Sequence, residues 1–480
     1  MALRTFLFLG LFVVCLIGAL FNPLFGALGY VADYCIGSSR QWWERPIQHW
    51  GLRYSFMLAI ATAVGFLFQW RRLKFGRTFL CRHEFLLIAF LALVWLAYLI
   101  APETVGRYTS VGIDHPTVKF TKVVVFLLML THIVASAKDL DRLIWVFVVG
   151  ALILGLQAWD TPRRSFTGGR LEGIGGPDFT EANFFAAFMA TALVLIGVQF
   201  LRSDWRGKLL CLVSGAFTAN AIVLTRSRGV VVGLAAGGLA ATVMAPKEHR
   251  RKIALGLAVA FAGFLYVADP QFLDRASTIT RSEEERDSSA QSRIRLARAG
   301  LSMVADHPLG VGVGNFYQSI GYYIPEYAGK DAHNTFVRCL TETGILGFAV
   351  FAAIIFSAFL MLKRLAKAAL SLPPPEQRNV RLLAFGMTVS LVTLLACCLT
   401  ISLTYVEFLW WYLALPVCLQ RAVDNARAEL PSLPVERTPQ RVWTGLVGGQ
   451  RKAARSSATP SRLGMAPHLS MRKSDPESHA

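Results

Sequence analysis

The sequence predicts an all-α, polytopic membrane protein with about 12 transmembrane helices and one large outer loop that contains short interfacial helices. Composition is the first observation behind this fold class. Apolar residues make up 54% of the 480 positions, with 39 glycines in addition, and charged residues only 16%. Soluble globular chains have about 45–50% apolar residues, glycine included, and about 25% charged residues. A disordered, collagen-like or disulfide-stapled chain is therefore excluded.

The second observation is that the apolar residues form runs long enough to cross a bilayer. About 17–25 residues of helix cover about 30 Å of hydrocarbon. Such runs lie at 5–21, 53–70, 83–101, 118–136, 142–159, 183–201, 207–225, 228–245, 252–268, 343–362, 382–400 and 403–420. Residues 24–36 are predicted to form a short helix that does not cross. We thus predict a transmembrane domain over residues 1–420, with its large outer loop at 269–342.

The third observation, the position of the basic residues, predicts the orientation. Most Lys and Arg residues of this chain, whose net charge is +19, lie in alternate connections or in the tail. Because Lys and Arg resist translocation, these segments and both termini are predicted to face the cytoplasm of a bacterial inner membrane. The tail, residues 421–480, is rich in Pro, Ser and Arg and is predicted to be disordered. The charge therefore indicates membrane topology and not nucleic-acid binding.

The large outer loop is predicted to contain a helix from Ser289 to Ala305. Its apolar stripe is predicted to comprise Ile294, Ala297, Leu301 and Val304. Arg293 and Arg295 lie on or beside the polar side, as is typical of a helix along a membrane interface. Such arginines either extend toward lipid headgroups or bind phosphate through their planar fork of donors.

Two other outer segments also carry arginines. Residues 161–185, with the sequence TPRRSFTGGRLEGIGGPDFTEANFF, place Arg170 in a glycine-rich stretch that leads into a helix start. This arrangement is able to bind anions. In LTRSRGVVVG, Arg226 and Arg228 lie in a turn between two apolar spans, where a charge usually has a partner. Arginines from three segments are therefore candidate phosphate ligands.

His333 lies shortly before the tenth predicted span, at the outer mouth of the bundle. A single histidine is often only a hydrogen-bonded structural residue. An imidazole titrates near pH 6.5, however, and is therefore suited to proton transfer. Histidine and several arginines at one membrane face indicate group transfer from a phosphate-linked donor.

Four segments resemble the O-antigen ligase-like family of membrane proteins. DAHNTFVRCLTETGILGFAVF resembles the family's histidine-asparagine signature, and LTRSRGVVVGLAAG resembles its Ser-Arg-Gly helix turn. SRIRLARAGLSMVADHPLGVGVGNF is similar to its loop helix with the following glycine-rich turn, and GPDFTEANFFAAF to its Asn-aromatic-Ala helix start. Together these segments cover about residues 170–362, and the family's architecture also has about 12 crossings and one large outer loop.

The resemblance implies a metal-independent glycosyltransferase without a cofactor. Its donor would be a glycan on undecaprenyl pyrophosphate, and its acceptor a hydroxyl of lipid A-core, a protein or another glycan, at the periplasmic face. His333 would be the catalytic base or an acceptor-positioning group, and Arg228 and Arg293 would bind the pyrophosphate. Arg226, Arg170 and Arg295 are second choices, because the motif match does not single them out.

Several alternatives stay open at this stage. A polymerase of the same superfamily would join repeat units, and a protein-glycosylating relative would use a different acceptor. A transporter or flippase for lipid-linked glycans is the alternative from another class, although the sequence has no convincing internal repeat. Whether Cys35 and Cys339 form a disulfide is also open.

Overall fold

The computed structural model describes residues 3–73, 78–102, 112, 115–268, 270–277 and 288–429. Sixteen α-helices lie in this part of the chain, which contains no β-strand. They are α1 (Leu3–Phe21), α2 (Pro23–Ile36), α3 (Tyr54–Phe68), α4 (Arg82–Leu99), α5 (Pro116–Ile133), α6 (Ala137–Asp160), α7 (Ala182–Arg202), α8 (Trp205–Thr225), α9 (Arg228–Met244), α10 (Arg250–Val267), α11 (Pro270–Ser277), α12 (Ser288–Asp306), α13 (Phe316–Tyr323), α14 (Thr335–Ala368), α15 (Pro374–Cys398) and α16 (Glu407–Glu429).

Every predicted span coincides with a helix, and eight of these helices are long and apolar enough to cross a membrane. They are α1, α4, α5, α6, α7, α8, α14 and α15. Helices α3 and α9 are apolar but have only 15 and 17 residues. The remaining two predicted spans, in α10 and α16, have charged residues within the helix. The all-α membrane fold is confirmed, whereas the count of 12 crossings and the outer position of the large loop stay predictions.

Helix α2 makes a pass through the bundle that the predicted topology does not include. It begins at Asn22, whose side chain accepts a hydrogen bond from the Leu24 amide at 3.0 Å. It then runs antiparallel to both α1 and α3, because Gly26 packs against Ala19 and Thr62, whereas Gly29 packs against the earlier residues Cys15 and Leu58. Helix α2 is largely buried. Its C-terminal end lies beside the start of α3, where Ser55 Oγ donates a hydrogen bond to Asp33.

The ends of the described chain consequently lie at opposite ends of the bundle. Near the first described residue, Thr5 Oγ1 donates a hydrogen bond of 2.7 Å to the carbonyl of Trp43, in the segment between α2 and α3. At the other end, α16 stops at Glu429, and Asn425 Nδ2 donates to the Ala135 carbonyl at 2.9 Å. This difference concerns the described ends, near Thr5 and Glu429, and the orientation of the two termini stays a prediction.

A buried charge cluster joins α16 to the bundle at this second end. Arg421 donates to Glu84 at 2.7 Å and to the carbonyl of Phe79 at 2.8 Å, and both charged side chains are buried. Removing one partner of such a pair leaves an uncompensated charge, at a cost of about 3–5 kcal/mol. The first nine residues of the predicted tail, 421–429, are therefore helical, and residues 430–480 lie outside the described part of the chain.

The basic connections meet at this same end, as the charge pattern predicts. Arg202 pairs with Asp141 at 3.0 Å, and Arg381 pairs with Glu248 at 2.7 Å. These contacts join the connections that flank α6, α7, α10 and α15. We call this the basic end of the bundle and the other the His333 end.

The loop helix α12 begins and ends within one residue of its prediction, but its buried face is different. The buried side chains are Leu296, Ala299 and Met303, which pack with Phe316 and Ile320 of α13. Within the predicted stripe, Leu301 is 60% exposed and Ile294 is 39% exposed. The stripe prediction was wrong because α12 has two apolar rows at helical spacing, and the contact with α13 selects the other one.

Candidate active site

Three turns converge at the His333 end. The turn before α14 contains His333, the turn between α8 and α9 contains Arg226 and Arg228, and the third, residues 399–404, joins α15 to α16. Asn334 Nδ2 donates to the Leu399 carbonyl at 3.2 Å. We call residues 399–404 the central turn.

The first residues of helix α9 also pack against the central turn. A Cβ placed on Gly229 would lie 2.1 Å from Thr400 Oγ1, so only glycine allows this approach. Thr335 Oγ1, from the start of α14, donates to the Ile401 carbonyl at 2.6 Å. The helix starts that follow Arg228 and His333 therefore rest on neighbouring residues of one turn.

Two of the predicted site residues have a strained backbone. His333 and Arg226 both have φ of 48°, and among the described residues they are the non-glycine positions with positive φ. This left-handed conformation is uncommon for residues with a side chain. Strain of this kind costs about 1–3 kcal/mol and concentrates at functional sites.

Asp331 lies beside His333 and binds its backbone. Its Oδ2 lies 3.7 Å from His333 Nδ1 and accepts a hydrogen bond of 3.3 Å from the His333 backbone amide. Burial lowers the pKa of His333, and Arg293 and Lys330 lower it further, whereas Asp331 raises it. Because the net effect is a lowered pKa, the imidazole is mainly neutral at pH 7. At 35% side-chain exposure it is accessible and able to accept a proton.

A second contact of Asp331 leads into a buried ion-pair network. Arg338 lies 3.4 Å from Asp331 Oδ1 and donates to Glu342 at 3.2 Å. Its guanidinium carbon also lies over the rings of Tyr317 and Tyr405, at 5.0 and 5.6 Å from their centroids. This network holds Asp331 in place beside His333.

Sequence reasoning missed this network. Asp331 lies two residues before His333, and Arg338 and Glu342 lie on one face of α14 at a spacing of four residues. All three are in the segment that carries the family resemblance. A carboxylate so close to a candidate base was the available signal, because it orients the imidazole and stabilises its protonated form.

A break in α14 positions this network. Gly344 has φ of 69°, so the helix is interrupted there, and the Ile345 amide donates to the Pro308 carbonyl at 3.0 Å. Just before the break, the carbonyls of Thr341 and Glu342 accept hydrogen bonds from the amides of Val311 and Gly312. The glycine-rich turn after α12 thus binds backbone groups that the break leaves without helical partners.

We expect Gly344→Ala to destabilise the protein. A Cβ there would lie 2.4 Å from the Leu309 carbonyl carbon, and alanine is strained at this φ. Strain alone predicts a loss of about 1–3 kcal/mol in the free energy of unfolding, measurable by unfolding in detergent. Gly256→Ala is the matched control, since Gly256 is helical with open space around its Cα. Equal stability of both variants would contradict the role of the break.

Arg170 and Arg226 lie together beside the turn between α8 and α9. Arg170 Nε donates to the Thr225 carbonyl at 2.9 Å, and its terminal nitrogen donates to Asn183 Oδ1 at 2.7 Å. A Cβ on Gly169 would lie 2.9 Å from a terminal nitrogen of Arg226. The glycine-rich segment is therefore folded against this turn, and Arg170 contributes to holding it there.

The same glycine-rich segment is electrostatically coupled to the His333 network. Burial raises the pKa of Glu181, at the start of α7, and the charges of Asp331 and Glu172 raise it further, whereas Arg170 and Arg338 lower it. Glu181 therefore lies within electrostatic range of groups from both segments. The segment with Arg170 and the turn with His333 face one region.

Of the two candidate arginines in α12, the structure couples only Arg293 to His333 in the described contacts. Arg293 is one of the charges that lower the pKa of His333. Arg295 forms an ion pair with Glu326 and lies over the Tyr327 ring, with half of its side chain exposed. Two residues along a helix correspond to a rotation of about 200°, so the two arginines point in different directions.

The acidic residues Asp139 and Asp141 lie away from this site, at the basic end, where they pair with Arg142 and Arg202. Within the described ranges, no three His, Cys, Asp or Glu side chains are grouped to hold a metal ion. Cys35 and Cys339 are both buried, free thiols.

The comparison with protein families agrees with this geometry. Residues 212–352 match the family described as O-antigen ligase. This part of the chain is similar to an O-antigen ligase-like family. The resemblance drawn from the motifs is thereby confirmed. The matched region includes the turn with Arg226 and Arg228, all of α12, and the His333 network, whereas Arg170 precedes it. No curated protein matches the chain.

The match to residues 212–352 bears on the general type of activity. Members of such a family transfer glycans in ligase-type or polymerase-type reactions, so the match indicates a glycosyltransferase-like enzyme. Together with eight candidate membrane spans it indicates a bacterial membrane protein with lipid-linked glycan substrates.

Proposed function

We propose that the protein transfers a glycan from undecaprenyl pyrophosphate to an acceptor hydroxyl at the periplasmic face of the inner membrane. One observation carries this proposal: a neutral imidazole, with Asp331 beside it, lies at the end of the bundle where arginine-bearing segments from separate parts of the chain converge. The basic end, with α16, would then face the cytoplasm, in agreement with the retention of Lys and Arg on that side.

In the proposed reaction, the acceptor oxygen attacks the anomeric carbon of the donor sugar. Its proton passes to the His333 imidazole, and the bond between that carbon and the pyrophosphate oxygen breaks with its electron pair on the leaving group. Attack from the side opposite the leaving group inverts the anomeric configuration. The protonated imidazole is stabilised by Asp331, 3.7 Å away.

Arg228 and Arg293 are proposed to bind the pyrophosphate. Negative charge on the leaving group grows as the bond breaks, and positive groups already in place stabilise that charge without reorganisation. Arg226 and Arg170 are the next candidates, since both lie at the same turn as Arg228. Arg295 is the weakest, because Glu326 already neutralises it. The reaction so described needs no metal ion.

The pH dependence tests the electrostatic environment of His333. Wild-type kcat/KM should fall at acidic pH, with its midpoint below the ordinary histidine pKa of about 6.5. Asp331→Asn removes a charge that raises the pKa of His333, so the acid limb should move to lower pH. Arg293→Gln removes a charge that lowers this pKa, so the limb should move to higher pH.

Arg295→Gln is the matched control for this pH experiment. It removes the same charge from the same helix, but Arg295 is paired with Glu326, and its charge is not among those that shift the pKa of His333. Its acid limb should coincide with that of the wild type. Displacement of the limb in the same direction by Asp331→Asn and Arg293→Gln would refute the assignment of His333 as the titrating base.

Reconstitution with a defined donor tests the function itself. Proteoliposomes would receive labelled undecaprenyl-pyrophosphate glycan together with lipid A-core, a protein acceptor or a second lipid-linked repeat unit. We expect a new glycosidic bond with one of these acceptors, and its identity separates a ligase from a polymerase. Movement of the label across the membrane without any new bond would instead indicate a flippase.

A further inference from the structure

A cavity of about 380 Å³ lies at the basic end, far from the His333 network. The connection between α9 and α10 forms one wall, and the first turns of α15 form the other. The charged and titratable side chains in the lining are Glu248, His249, Lys252, Arg378 and Arg381. The cavity takes no part in the proposed glycan transfer.

The cavity carries a net positive charge. Glu248 accepts a hydrogen bond of 2.7 Å from Arg381, so this pair is internally neutral. Lys252 and Arg378, both exposed, remain as additional cations. Helix α10 also begins here, and a helix N-terminus carries partial positive charge with amide groups available to anions.

The cavity lining also contains a buried histidine, His249, with one ring nitrogen that has no hydrogen bond among the described residues. The His249 side chain is only 7% exposed, and its Nδ1 has no hydrogen bond among the described residues. The nearest carboxylate oxygen, on Glu248, is 4.0 Å from Nδ1, too far for a hydrogen bond. Buried polar atoms nearly always have a partner, so this atom is available to hydrogen-bond a ligand in the cavity.

The charges around His249 favour an anion as that ligand. Burial lowers the pKa of His249, and the positive charges of Arg378, Lys252 and Arg381 lower it as well, whereas Glu248 raises it. A bound phosphate would offset this positive field and offer an oxygen to the imidazole.

Directly beyond the charged groups, the surface becomes apolar. Ile253 of α10 packs with Val389 of α15, and Leu257 and Phe385 border the same cluster. Within α10, Ile253 is the one buried residue, and the side chains that follow on the outer face, such as Val259, are exposed. A ligand that fits both the charged cavity and the apolar surface beside it has a phosphate headgroup and hydrocarbon chains.

We propose that this cavity binds the phosphate of an anionic phospholipid, whose acyl chains lie along α10. Lys252 and Arg378 contact the phosphate oxygens, and His249 contributes a hydrogen bond. The apolar surface between α10 and α15 favours a lipid over free phosphate, since inorganic phosphate gains nothing from it. The position at the basic end also matches the anionic surface of a cytoplasmic leaflet.

Lipid binding to the purified full chain tests this proposal. Native mass spectrometry in detergent would measure binding of phosphatidylglycerol, with phosphatidylcholine and inorganic phosphate as comparison ligands. The cavity variant is Lys252→Gln with Arg378→Gln. Its matched control is Lys363→Gln with Arg364→Gln, which removes the same charge from exposed positions near the same end. Both pairs are exposed, so both proteins should fold, and circular dichroism would verify this.

We expect phosphatidylglycerol to bind the wild type more tightly than phosphatidylcholine does. Its affinity should fall about tenfold or more in the cavity variant and less than about twofold in the control. Equal losses in both variants would overturn the proposal, because they would reflect general surface charge. Displacement of phosphatidylglycerol by an equal concentration of inorganic phosphate would also overturn it, because the site would then recognise free phosphate.

Discussion

Replacing His333 with alanine should abolish glycan transfer while leaving donor binding nearly intact. The imidazole is proposed to take the proton of the acceptor hydroxyl, and general-base groups contribute about 10²–10⁴-fold to rates. The loss should therefore appear in kcat and not in donor affinity. The measurement is product formation in proteoliposomes, together with binding of labelled lipid-linked donor.

His49→Ala is the control for this variant. His49 lies at the same end of the bundle, in the segment between α2 and α3, and is exposed. Its replacement should leave transfer within about twofold of the wild type, as is usual for exposed positions away from a site. Near-normal product from His333→Ala would remove the proposed base from the mechanism.

Replacing Arg228 with alanine should impair both donor binding and transfer. This arginine begins α9 beside the central turn and is proposed to bind the pyrophosphate. Removing one group that stabilises developing negative charge costs about 10²–10³-fold in kcat, and a lost ground-state contact weakens binding in addition. Donor titration and steady-state kinetics would separate the two effects.

Arg53→Ala provides the comparison for Arg228. Arg53 is exposed at the same end, just before α3. If Arg53→Ala reduced transfer as much as Arg228→Ala, the effect would come from the general positive potential of that surface and not from a bound pyrophosphate.

Most helices could be predicted from the sequence because long apolar runs and the length of a span leave few alternatives. The sequence predicts helix α2 but not a pass through the bundle, since its 14 residues include Asp33 and two glycines and fall below the usual length. Close packing of Gly26 against Ala19 and Thr62 compensates for that shortness. Contacts of this kind are not visible in a hydropathy pattern.

Only part of the candidate site can be predicted from the sequence, again because tertiary contacts are not visible there. Arginine and histidine stand out in apolar surroundings, so His333, Arg228 and Arg293 could be selected from their positions and from the family motifs. Arg338 and Glu342 neutralise each other inside α14, and that pairing depends on the tertiary contacts with Tyr317 and Tyr405. The break at Gly344 likewise depends on the Pro308 carbonyl that binds the amide after it.

The central claim is that one donor pyrophosphate is bound where the turns with Arg228 and His333 meet the loop helix with Arg293. A polyprenyl pyrophosphate with a photoreactive group next to the phosphates, crosslinked to the reconstituted protein and mapped by mass spectrometry, tests it most directly. We predict labelled peptides from all three segments, with labelling suppressed by unmodified donor. Labelling confined to the basic end, or to one of the segments without competition by donor, would contradict the account.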